Sequence, residues 1–247
     1  MGLRACIDRV VPDAFRSEAA RVAVLENPSN ATARGGMEMA LETKKLWKPG
    51  RTLRIRFLEG QPKVQEGVER AAREWMKYAN INLQFVKSGD AEIRIAFKDD
   101  GSWSAVGTDA LVTSFFNAGE ETMNYGWLTE QSTDEDYSSV VLHEFGHALG
   151  CIHEHQSPGA DIKWNKEVVY RDLGGPPNNW DRAQVDSNVF QKYSAGQTQF
   201  TAFDPKSIML YSFSKSWTLD GQTLKANKTL SETDKAFISK EYPGLHI

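Results

Sequence analysis

Residues 143–155 read His-Glu-Phe-Gly-His-Ala-Leu-Gly-Cys-Ile-His-Glu-His and hold four of the five histidines of a 247-residue chain. Upstream, Ser132-Thr133-Asp134-Glu135 fits a capping box with Ser132 as N-cap and Glu135 reaching back, and Val141, Phe145, Ala148 and Leu149 mark one apolar face. The spacing predicts a helix over about 133–149. On it His143 and His147, four residues apart, project from one face at a distance suited to one tetrahedral zinc ion. Gly150 stops the helix and lets the chain turn sharply, so that His153 swings back as third ligand. Three protein ligands with a fourth position for water are the mark of a catalytic zinc, and Glu144 beside the first ligand is the expected general base. Each further required histidine cuts chance agreement by about fifty-fold, which disfavours a helix whose histidines merely line a core.

Composition sets the frame around this string. Lys+Arg of 29 against Asp+Glu of 33 gives a net charge of −4, so the chain lacks the basic surface that nucleic acid requires. Two cysteines, Cys6 and Cys151, exclude a multi-bridge scaffold and a four-cysteine zinc module. No apolar run approaches the length of a membrane helix, and Arg4, Asp8, Arg9 and Asp13 stand where a signal peptide would be apolar. Ample aromatic residues supply a core without help from metal or disulfide.

Along the chain, residues 1–45 read as an N-terminal appendage with one helix from Asp13 to Leu25, and residues 46–247 as the catalytic domain. The latter divides into an upper part, 46–150, and a lower part, 151–247. Leu53, Ile55 and Phe57 alternate with Arg54 and Arg56 as in a half-buried strand, and Pro62 opens an amphipathic helix over 63–79. Leu83 and Phe85, then Ile93, Ile95 and Phe97, then Met123 to Trp127, predict further strands. Past Gly150 the chain is loop-rich, with a helix near Trp180 to Tyr193 and a last helix opened by Ser231-Glu232-Thr233-Asp234. The fold class expected is α+β.

The string H-E-x-x-H-x-x-G-x-x-H resembles that of the metzincin zinc peptidases, whose signature ends in a methionine turn. Ser207-Ile208-Met209-Leu210-Tyr211 resembles the Met-turn of the astacin family, and Glu154 directly after the third histidine matches astacins too. The resemblance runs from about Lys48 to Tyr242 and takes in the weakly specific Trp103-Ser104-Ala105-Val106-Gly107. It implies an N-terminal mixed sheet with two helices, the zinc helix included, and an irregular C-terminal subdomain carrying the Met-turn and a closing helix. By the same resemblance Met209 forms the base of the zinc site, and Tyr211 ligates zinc at rest or swings to stabilise an oxyanion. The cysteines of the usual astacin disulfides are missing, His155-Gln156 stands where a Gln would directly follow the Glu, and Leu210 replaces the usual His. These departures place the chain nearer the bacterial or fungal branch and leave the zinc chemistry intact.

The resulting expectation is a monomeric zinc endopeptidase acting on proteins or peptides, with no nucleic-acid or membrane partner; its compartment stays open among a removed leader, a cytoplasmic location and an export route the sequence does not show, with secretion the favoured reading. The alternative is a non-catalytic zinc-dependent binding module on the same fold, against which Glu144 argues, because a binding module needs no base beside its metal. A thermolysin-like site would take Glu167 as third ligand in place of His153; Gly150, His153 and Met209 argue against it. His155 is expected to point away from the metal or to bind a carboxylate, and Glu154 to serve as a local salt-bridge partner. Cys6 is the candidate latency switch, its thiolate filling the open zinc position until residues 1–45 are removed. Cys151 is expected to be buried packing. Between Lys98 and Lys163 there is no Lys or Arg but a run of acids, from which a negative cleft rim and a preference for neutral or basic substrate residues are expected.

Overall fold

The structure is a computed structural model that describes residues 6–9, 11–31, 44–176, 178–192, 203–210 and 212–244. Its centre is a six-stranded sheet. The strands are β1 (Ile7–Arg9), β2 (Thr52–Phe57), β3 (Asn82–Phe85), β4 (Ile93–Ala96), β5 (Ser102–Ala105) and β6 (Met123–Tyr125), in spatial order β1-β5-β6-β4-β2-β3. All neighbours run parallel except β5 against β6. β2 follows the alternation of its sequence, with Leu53 and Ile55 fully buried and Thr52 and Arg54 exposed. β4 and β5 are buried on both faces, which is why their sequences do not alternate as cleanly.

Two helices pack on the sheet. α2 (Pro62–Ala72) turns Val64, Val68 and Ala72 inward, and α3 (Asp134–Ala148) is the helix of the histidines. They approach closely at Gly67, where an added Cβ would stand 2.6 Å from the Tyr137 ring. The expected 63–79 helix is α-helical only to Ala72 and tightens into a 3₁₀ turn over Arg73–Lys77, which seats the Trp75 indole against α3 with its N–H donating to Leu142 O at 3.0 Å. The capping box of α3 is one residue later than the sequence suggests. Thr133 is the N-cap, its hydroxyl accepting from Asp136 N–H while Asp136 accepts from Thr133 N–H. Ser132 is spent on the preceding turn, where its hydroxyl accepts from Thr129 N–H.

The N-terminal residues, expected as an appendage, add a strand to the sheet edge and a helix, α1 (Arg16–Glu26), to its core. Val11 and Ala19 belong to the main core. Asn30 is buried and clasps the chain on both sides, donating to Ala23 O and Leu46 O and accepting from Leu46 N–H. Leu46 and Trp47 are core residues as well.

Past α3 lie α4 (Lys166–Gly174), absent from the sequence expectation, α5 (Arg182–Val185), a π-helical turn over Asp186–Phe190, and the closing helix α6 (Glu232–Glu241). The single helix expected near Trp180 to Tyr193 is thus short and widens after one turn. A second core of Ala160, Ile162, Val169, Leu173, Trp180, Val185, Val189, Phe213 and Trp217 holds this lower part, and Cys6 packs into it. Residues 6–9 therefore lie across the molecule, Cys6 below and Ile7–Arg9 on the sheet edge above. Among the described residues no helix is long and apolar enough to cross a membrane.

Candidate metal centre

α3 ends where the sequence says it must. Gly150 takes φ +92°, the left-handed region that a side chain resists, and Cys151 N–H donates back to Gly146 O at 2.9 Å. The last carbonyls of the helix, left without partners inside it, are met from both ends of the chain. Trp47 Nε1–H donates to Ala148 O at 2.7 Å, and Tyr242 Oη–H to Leu149 O at 2.7 Å. These two bonds tie down the helix end from which the next turn departs.

His143, His147 and His153 are all buried, and their Nε2 atoms stand 3.2 Å apart in each of the three pairs. His143 Nδ1 lies 2.8 Å from Ile208 O and His147 Nδ1 lies 3.0 Å from Cys151 O. A carbonyl oxygen only accepts, so both Nδ1 atoms carry the proton and both Nε2 atoms turn a lone pair inward. Lone pairs converging in a buried space repel unless a cation lies between them. Four ligands at about 2.0–2.1 Å from zinc are about 3.3 Å from one another along a tetrahedral edge, which is the spacing of these three nitrogens. The donor set fits zinc in distance and in chemistry.

Cys6 Sγ joins the group. Its sulfur and the three histidine nitrogens lie within 4.8 Å of one another, and its thiol donates to Glu144 Oε2 at 3.3 Å. Glu144 is buried beside them on α3. Thus the structure gathers His143, Glu144, His147, His153 and Cys6, although Cys6 is separated from Glu144 by 138 residues of chain.

Met209 lies under the ligands. A Cβ on Gly146, between His143 and His147, would fall 2.3 Å from Met209 Sδ, so the helix needs glycine there to sit on the methionine. The turn carrying Met209 hangs on Asp234, which accepts from Ser207 Oγ–H at 2.7 Å and Ile208 N–H at 2.8 Å while also capping α6. Ile208 O in turn orients His143. Burial pushes the Asp234 carboxyl above its ordinary range, against the pull of these hydrogen bonds. Tyr211 lies outside the described residues.

The neighbouring expectations divide. His155 is turned away from the ligand group, its Nε2 at 3.1 Å from Asn188 O, and Cys151 is buried in the core with its thiol pushed up by desolvation. Among the described residues no cation pairs with Glu154, contrary to expectation: its Oε1 accepts from Asp204 N–H at 2.8 Å, and burial, with Asp234 and Asp204 nearby, pushes its carboxyl up to about 7. Glu167 is exposed and paired with Arg182 at 2.7 Å, far from any role as a ligand. The acidic run is partly neutralised by cations from elsewhere in the chain, with Asp109 paired to Lys45, Glu121 to Lys98, Asp134 to Arg70 and Glu135 to Lys228. Sequence reasoning missed Asp234, whose partners Ser207 and Ile208 are distant in the chain, and Gln156, whose side chain is oriented by the distant Ser187 carbonyl.

The sequence profile of the astacin family of peptidases matches residues 39–236. The chain belongs to this family. As an astacin it is a zinc-dependent endopeptidase of α+β metzincin fold, acting on proteins and peptides. One solved structure of myroilysin is 44% identical with a TM-score of 0.77, covering 81% of this chain and 96% of that one. A second, a crystal structure of myroilysin, is 39% identical with a TM-score of 0.65 and covers 99% of both chains. The hatching enzyme HCE-1 of medaka fish, Oryzias latipes, shares the fold at 19% identity and a TM-score of 0.56, covering 86% of this astacin and 98% of the fish chain. Matrix metalloproteinase-2 of Drosophila melanogaster is 27% identical over 131 residues, a stretch that is 46% of this chain and 17% of the fly protein.

Proposed function

We propose that His143, His147 and His153 hold the catalytic zinc, that Glu144 is its general base and acid, and that Cys6 keeps the chain latent. The observation that carries the reading is the convergence of three Nε2 atoms at 3.2 Å from one another beside a buried carboxylate. A zinc ion bound there supplies Lewis acidity, polarising a scissile carbonyl and acidifying a water. Glu144 accepts the proton of the attacking water and returns it to the leaving amine. Met209 fills the floor of the site and holds the helix from below. By resemblance, Tyr211 donates a hydrogen bond to the oxygen that gains charge.

Latency is supported by two contacts of one segment. The Cys6 thiol occupies the space in front of the three imidazoles and hydrogen-bonds the base, and Ile7–Arg9 pair along β5 with Ile7 opposite Trp103 and Arg9 opposite Ala105. A substrate strand can no longer add to this edge, and the base is engaged. Residues 1–45 act as a removable segment and 46–247 as the working enzyme, which functions as a monomer without nucleic-acid or membrane partners. Replacing Cys6 with Ala in the full chain is expected to raise the initial rate of casein cleavage at least tenfold. Equal rates for parent and variant would overturn the switch.

A further inference from the structure

The three zinc ligands are not supported alike. His143 and His147 lean on main-chain carbonyls, which no substitution removes. His153 Nδ1 faces a side chain, Gln156, whose Oε1 is 3.3 Å away. Which end of that amide meets the imidazole is decided from its other side. Gln156 Nε2 lies 2.8 Å from Ser187 O, and a carbonyl oxygen cannot donate, so the amide must turn its NH₂ toward Ser187 and its oxygen toward His153. An oxygen facing Nδ1 requires the proton on Nδ1, which leaves the Nε2 lone pair for the metal.

We infer that Gln156 is a positioning residue for the zinc centre, fixing the tautomer and ring plane of His153 and tying that ligand to the π-helical turn of the lower core. The inference rests on His153 being a ligand. Gln156 is itself buried, at 1% exposure, in a turn that cannot drift. Next to it His155 Nε2 meets Asn188 O, and the Lys192 ammonium donates to His155 O, Ser157 O and Ala160 O. The widened turn at Asp186–Phe190 is what brings Ser187 O and Asn188 O within reach of residues 155 and 156. Gln156 lies three residues past the ligand, where a 3₁₀ turn over Glu154–Gln156 returns its side chain to the ring.

The test measures zinc affinity by competition with a chromophoric chelator, in full-length protein carrying Cys6→Ser so that the imidazoles alone set the value. Gln156→Met keeps length and bulk but removes the acceptor, and is expected to weaken zinc binding about 10- to 100-fold. Gln156→Glu restores the acceptor at the ring but loses the donation to Ser187 O, and is expected to weaken zinc binding less than Gln156→Met does. The visible spectrum of the cobalt-substituted protein should shift in Gln156→Met and not in Lys192→Met, which loosens the same loop without touching the ring. Parent-like affinity in Gln156→Met while His153→Ala loses zinc would overturn the positioning role alone. Equal losses in Gln156→Met and Gln156→Glu would also overturn it. Retention of zinc by His153→Ala would overturn the ligand assignment on which it rests.

Discussion

Glu144 and Gly146 carry different burdens within one turn of helix. Glu144 is placed for chemistry, so Glu144→Gln is expected to keep the zinc and lose about 10²- to 10⁴-fold in kcat with little change in KM, read from peptide hydrolysis beside metal analysis. Gly146 has the opposite profile. In an exposed helix, alanine would be favoured over glycine by about 1 kcal/mol, but here its Cβ would meet Met209 Sδ at 2.3 Å. Gly146→Ala is therefore expected to be a net loss of about 1–3 kcal/mol by denaturant unfolding of the zinc-free protein. A gain in stability would mean that Met209 does not press on the helix. The histidines, Glu144 and Gly150 are legible from sequence because one helix and one turn place them. Cys6 is legible as a candidate zinc-binding thiol, but its contact with Glu144 and the supporting roles of Gln156 and Asp234 are not, since these depend on segments distant in the chain.

At the scale of elements, α3 and α6 are each fixed by a capping box, and the second box does two things at once. Asp234 caps α6 and also suspends residues 207–209, whose carbonyl at Ile208 orients His143. Asp234→Ala should cost more than a simple cap, beyond the ~1 kcal/mol expected for Thr133→Ala on α3. It should also weaken zinc binding, which Thr133→Ala should not. Thermal melts of both variants with and without zinc check this, and identical behaviour of the two would separate the Met209 turn from the centre. The strands and helices of the upper part were readable because β2 and α2 show clean periods of two and 3.6. Where segments are buried on both faces, as in β4 and β5, or where the helix changes pitch, as after Ala72 and Val185, periodicity loses the boundary. β1 has no pattern of its own to read, being three residues paired to an edge.

For the whole molecule, the N-terminal segment joins two cores. Cys6 sits in the lower one, Val11 and Ala19 in the upper one, and Arg9 lies 4.1 Å over the Trp103 ring. Its departure must uncover Trp103, so activation by proteolysis is expected to change tryptophan emission in step with the rise in activity. Emission that stays constant through activation would show that β1 does not leave. Mixed charge and turn-prone residues give this segment the composition of an appendage, and only its tertiary contacts, invisible to composition, make it part of both cores. The most direct measurement is hydrolysis of unfolded casein by full-length, zinc-loaded protein carrying Cys6→Ala, with and without Glu144→Ala, followed by chelation and zinc add-back. The expected result is cleavage that chelator abolishes, zinc restores, and Glu144→Ala removes while its zinc content stays the same. Cleavage that survives chelation or the loss of Glu144, or none from the zinc-loaded Cys6→Ala protein even once its N-terminal segment is cleaved off, would contradict this assignment.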